Sequence, residues 1–127
     1  MDIRKFWELV LMQAREELKS YFHPEAQIFW HNTNERFTVD EFILVNSVYP
    51  GEWSGEIERI ERMDDLIITA VYVYSKDGEV SDHVVSFIRL EEGRIIRVDE
   101  YWGNDTKPPK WRLDMKIGEK IHSTKAE

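Results

Sequence analysis

Arg94-Ile95-Ile96-Arg97-Val98-Asp99-Glu100-Tyr101-Trp102 is the stretch from which the rest of the chain can be read. Ile96, Val98, Glu100 and Trp102 alternate with Ile95, Arg97, Asp99 and Tyr101. That is the period of a strand, with one face apolar except for Glu100. The tight turn Glu92-Gly93 pairs it antiparallel with Ser81 to Leu90. Lys76-Asp77-Gly78 joins that run to Leu66 to Tyr74, which is rich in Ile, Val, Thr and Tyr. Met63-Asp64-Asp65 leads back to Gly55 to Arg62, where the uneven spacing of Ile57 and Ile60 predicts a bulge. Four successive antiparallel strands make a strongly twisted meander.

Upstream the period changes. Phe6, Trp7, Val10, Ala14, Leu18 and Tyr21 recur at helical spacing from Ile3, with Asp2 as N-cap and His23-Pro24 as terminator. Leu9-Val10-Leu11-Met12 widens the stripe, so this helix is expected to touch two surfaces. A short strand follows over Ala26 to Trp30, then a polar turn, Asn32 to Glu35. Thr38-Val39-Asp40-Glu41 is a capping box, with Phe37 and Phe42 as its staple. The helix it starts runs to Tyr49-Pro50-Gly51 and carries Phe42, Asn46 and Tyr49 on one side.

Composition narrows the function. The chain has 127 residues, enough for one domain with a real core, expected over residues 1–117 with a polar, frayed tail over 118–127. Aromatic residues make up 13%, more than a small core needs and suited to a pocket. A formal charge of −8 opposes binding to nucleic acid or an anionic membrane. There is no cysteine, hence no disulfide or thiolate chemistry. Without a signal peptide or a membrane-length apolar run, a cytoplasmic protein is expected.

Two helices against a curved meander define an α+β class: a cone-shaped barrel of strongly curved, mostly antiparallel sheet wrapped around the N-terminal helices. In that order of elements the chain resembles the nuclear transport factor 2-like, SnoaL-like proteins, which include ketosteroid isomerase-like and polyketide cyclase members. The resemblance covers roughly Phe6 to Arg112. It is carried by Phe29-Trp30-His31-Asn32, Asn46-Ser47-Val48-Tyr49-Pro50, Glu100-Tyr101-Trp102-Gly103 and Pro108-Pro109-Lys110-Trp111-Arg112. It implies a homodimer and a small-molecule cone. It does not imply one reaction, since this superfold hosts many. The tyrosine–aspartate oxyanion hole of the steroid isomerases, the paired histidines of the dehydratases and the Asp-Arg-Asp relay of the epoxide hydrolases find no clean match.

The residues themselves offer several candidates. Glu100, a carboxylate on an apolar face, is either raised in pKa and used as an acid–base group or paired with Arg112, or with Arg97 in another register, to anchor the tail. His83 either shares an inward face with Val85 and Phe87 and assists Glu100, or points outward while Val84, Ser86 and Ile88 point in. Tyr72 either donates to a substrate oxygen or is a cross-strand ring. Asn46 either hydrogen-bonds a ligand carbonyl or an oxyanion, or caps a strand carbonyl under the sheet. Trp30, Trp53, Trp102 and Trp111 either line a ligand pocket or fill the core, and Arg112 either grips a substrate carboxylate or bridges to Glu100. The four histidines lack metal-ligand spacing, so no metal is expected. The leading expectation is a cone that binds a small, largely apolar molecule. It would support cofactor-independent isomerisation, dehydration or cyclisation next to a carbonyl. The alternative is a non-catalytic ligand-binding or dimerisation module with a structural Glu100–Arg112 pair.

Overall fold

A computed structural model describes residues 1–122. Its elements are α1 (Ile3–Leu11), α2 (Glu16–Lys19), β1 (Phe22–Trp30), β2 (Glu35–Thr38), α3 (Val39–Val48), β3 (Trp53–Met63), β4 (Leu66–Ser75), β5 (Ser81–Glu91), β6 (Arg94–Asn104) and α4 (Lys110–Asp114). The six strands form one sheet in the order β2-β1-β6-β5-β4-β3. The meander β3 to β6 is antiparallel, and β1 joins β6 in parallel. With β2 and β3 left at the edges the sheet is open rather than a closed barrel. Part of the frayed tail expected over 118–127, residues 123–127, lies outside the described residues.

The inner face is the core. Ile67 and Val71 of β4, Val84 and Ile88 of β5, Ile95 and Val98 of β6 and Ile28 of β1 are buried against Phe6, Trp7 and Leu9 of α1 and Phe42 and Ile43 of α3. Trp7 donates its indole N–H to Thr69 Oγ1 at 3.1 Å, which fixes α1 to β4 through a buried polar pair. The staple residues Phe37 and Phe42 both pack edge-on against Trp30, at 4.8 and 6.5 Å between centroids. Both halves of the capping box form: Glu41 N–H donates to Thr38 Oγ1 and Thr38 N–H to Glu41 Oε1. The bulge expected in β3 lies between Ile57 and Arg59.

Four local expectations need correction. The first helix does not continue to Tyr21. It ends at Leu11, Gln13 takes a left-handed φ of 58°, and a separate short α2 follows. Gln13 Nε2 donates to the carbonyls of Asn46 and Tyr49 at 3.1 and 2.6 Å, so the end of α3 holds the break open. Beyond it, Leu18 becomes fully buried. Next, β1 begins at Phe22 and runs through Pro24, because its pairing with β6 shifts between Phe22 and Gln27 and asks no N–H of the proline. The turn after Trp30 returns as a short strand, β2. Finally, Ile95 rather than Ile96 is buried, since the β5–β6 register shifts between Arg89 and Leu90.

Candidate active site

Between the sheet, α1 and α3 lies a cavity of about 630 Å³. Val98, Glu100 and Trp102 of β6 face inward, as their alternation predicts. Glu100 is 6% exposed and is the one charged residue among the buried ones in the described chain. Its Oε2 accepts from the Ser86 hydroxyl at 3.0 Å and its Oε1 from the Trp102 indole N–H at 3.3 Å. Burial pushes the Glu100 carboxyl above its ordinary value, against the pull of Ser86, Trp102 and Trp30. Trp30 lies close enough to act on that charge but lacks full hydrogen-bond geometry, and its buried Nε1 has no partner among the described residues.

Asn46 lines the cavity, and its Nδ2 donates to the Val10 carbonyl at 3.2 Å. It therefore caps a helix carbonyl rather than a strand carbonyl. Trp53 also lines the cavity, its N–H held by the Pro50 carbonyl at 3.0 Å. Asn32 clasps the rim. Its side chain donates to the Trp102 carbonyl and accepts from the Trp102 N–H at 2.5 Å.

Other expected site residues lie elsewhere. Val84, Ser86 and Ile88 are the inward residues of β5, so His83 points to the opposite face from Glu100. There His83 lies between Asp105 at 2.5 Å and Glu58 at 3.3 Å and stacks on Tyr72, its cross-strand partner. Tyr72 is on that outer face because Val71 and Val73 take the inner one. Trp111 is 63% exposed on α4 and does not line the cavity. Arg112 is exposed too, with its guanidinium 5.4 Å from the Trp111 ring. The Glu100–Arg112 pair is not formed: Glu100 is buried on the inner face, whereas Arg112 is exposed on α4.

Asp82 carries no expectation from the sequence. It shares the inward parity of Val84, Ser86 and Ile88, lines the cavity, and keeps Oδ1 buried without a partner among the described residues. Burial first, then Asp105, holds its carboxyl above the ordinary range, while His83 opposes them. The outer face carries a separate network in which His31 Nε2 meets Asp99 at 2.8 Å and stacks on Tyr101. Burial opposes it, but hydrogen bonds from Arg97 and His31 hold Asp99 below its usual value. Among the described residues, no group of His, Cys, Asp and Glu is placed to hold a metal ion, and no helix is long and apolar enough to cross a membrane.

No protein-family model matches this chain, and no curated protein matches it in sequence. Solved structures do match in fold. A candidate ketosteroid isomerase from Kribbella flavida DSM 17836 superposes with a TM-score of 0.80 at 21% identity, over 98% of this chain and 90% of its own. An NTF-2 like protein of unknown function from Burkholderia xenovorans LB400 gives 0.77 at 17% identity, over 94% and 92%. A hypothetical protein with a ketosteroid isomerase-like fold from Catenulispora acidiphila DSM 44928, in complex with trimethylamine, gives 0.66 at 12% identity, over 79% and 84%. At such identities the likeness establishes architecture and leaves the chemistry to the residues. The chain has the α+β fold shared by nuclear transport factor 2-like, SnoaL-like and ketosteroid isomerase-like proteins.

Proposed function

We propose that the cavity binds a small, largely apolar organic molecule and that Glu100 moves a proton on it next to a carbonyl. The observation that carries this reading is the placement of Glu100. It is a buried carboxyl on the cavity wall with no cationic partner among the described residues, held by Ser86 and Trp102. Burial raises its pKa above the ordinary carboxylate value, which favours acid–base work. The Trp30 N–H beside it, drawn toward the Glu100 carboxyl but without a full hydrogen bond among the described residues, is suited to a substrate oxygen that gains charge when the neighbouring carbon loses its proton. Tyr72 and His83, on the other face, take no part in this reading, and Asn46 and Trp53 shape the wall. Isomerisation, dehydration or cyclisation fits these groups without a cofactor.

The test is a proton-exchange assay. Small cyclic and aryl ketones in D₂O should lose the protons next to the carbonyl faster with the protein than without it. Glu100→Gln should abolish the acceleration and keep ketone binding. Acceleration that survives in the variant would refute the role of Glu100.

A second proposal concerns assembly. Val85 and Phe87 are each 38% exposed and Tyr101 47% on the outer sheet face, which suits the homodimer expected from the resemblance. Sedimentation should give a dimer that Phe87→Glu dissociates.

A further inference from the structure

Two buried polar side-chain atoms in the described residues lack a hydrogen-bond partner, and both belong to residues on the cavity wall: Trp30 Nε1 and Asp82 Oδ1. One is a donor and the other an acceptor. Native interiors leave few such atoms unmatched, since each costs most of its desolvation energy. The pair therefore defines a polarity. A molecule that matched both would present an acceptor beside Glu100 and a donor beside Asp82.

The separation follows from the strands. Ser86 pairs with Glu100 across the sheet, and Asp82 lies four residues from Ser86 on the same strand. That places the two carboxyl-bearing positions about 13 Å apart along the cavity wall. Val84 and Trp102, themselves a cross-strand pair, lie between them. An apolar span is therefore bounded by two polar ends.

The charge of the wall selects among donors. Glu35, Asp82 and Glu100 line the cavity, and among the described residues no lysine, arginine or histidine does. The histidine next to Asp82 in sequence, His83, faces the other way and is engaged by Asp105 and Glu58. Rings surround the same space: Trp30, Trp53, Trp102 and Tyr49 all line it. Carboxylates and π faces together favour a cation, and the net charge of −8 draws cations from a distance.

We infer that the ligand carries a protonated amine, whose N–H donates to Asp82 Oδ1 while its carbon substituents rest against the indole walls. The amine end sits at Asp82 and the reacting carbonyl end at Glu100 and Trp30. This rests on the ligand-binding reading of the cavity and adds the charge and orientation of the ligand.

Three probes of one skeleton separate the two ideas: 3-phenylpropylamine, 3-phenylpropan-1-ol and 3-phenylpropionate, titrated near neutral pH by calorimetry and tryptophan fluorescence. The expected order is amine over alcohol by about tenfold or more, with the carboxylate weakest. Asp82→Asn should bring the amine down to the level of the alcohol, a larger loss than the alcohol itself shows. If the alcohol binds and the amine binds no better, the inference falls while the cavity reading stands. If Asp82→Asn keeps the preference for the amine and Glu100→Gln removes it, the assignment to Asp82 is wrong. Failure of all three to bind at millimolar concentration overturns the cavity reading and the inference with it. The comparison in the unmutated protein stands even if Asp82→Asn fails to fold.

Discussion

Ser86 and Glu100 face each other across β5 and β6, and the serine hydroxyl donates to the carboxyl at 3.0 Å. Both are buried, among side chains that are otherwise largely apolar. The strand pairing thus gives an ionisable group a partner that carries no charge of its own. A lysine or arginine there would fix the carboxylate as an anion. A hydroxyl lets it gain and lose a proton.

Ser86→Ala should therefore cost more where Glu100 is ionised. Removing a donor from a buried charged acceptor is worth about 1–3 kcal/mol. Urea unfolding in alkaline and in mildly acidic buffer measures it. The loss should shrink at acid pH, and an equal loss in both buffers would mean that the charge on Glu100 is not involved.

Glu100 itself should shape stability against pH. Its folded-state pKa lies above the ordinary 4.5, so in the window above 4.5 the native state holds a proton that the unfolded chain has released. Its contribution is greatest below that ordinary value and declines as pH rises through the folded pKa. Glu100→Gln, neutral throughout, should lose the decline. Unfolding midpoints of the two proteins should diverge with rising pH, the variant becoming relatively more stable, and parallel curves would contradict the raised pKa.

Gly55 is required for α1 to meet β3 closely. A Cβ there would lie 2.8 Å from the Tyr72 carbonyl oxygen and 3.0 Å from Leu11 Cδ1. The side chain can yield but the backbone oxygen cannot. Gly55→Ala should destabilise by about 1–3 kcal/mol, and adding Leu11→Ala should not restore it. Thermal unfolding of the single and double variants checks this.

The Trp7–Thr69 bond gives a further test. Thr69→Val keeps the volume but leaves the buried indole N–H without its acceptor, at a cost of about 1–3 kcal/mol. Thr69→Ser keeps the hydroxyl and should lose less. Denaturant unfolding of the pair decides whether the hydroxyl or the methyl group matters.

Much of the fold could be read from short patterns. The capping box Thr38–Glu41 is complete within four residues, so the start of α3 needs no distant partner. At Glu92 and Gly93 the φ values of 51° and 80° suit the tight hairpin that their residue types announce. The alternation around Glu100 likewise placed that carboxyl inside. In each case the cause is backbone geometry acting over one turn or one pleat.

Other features depended on residues far away in sequence. The break at Gln13 is held by carbonyls of Asn46 and Tyr49, 33 and 36 residues on, and no helical pattern carries that information. The face of β5 was ambiguous because Val84 and Ser86 compete with His83, Val85 and Phe87 for the inside. Only pairing with β4 and β6 turned His83 outward and Asp82 inward. A one-residue change of register exchanges the two faces of a strand, and that register is set by neighbouring strands. Asp82 had a signal in its parity with Val84, Ser86 and Ile88, but it could be used only once Ser86 was known to face Glu100. Periodicity thus fixed the four strands of the meander and that Glu100 would be buried. Long-range pairing fixed what surrounds it, because hydrogen bonds between distant segments exist only after the chain has closed on itself.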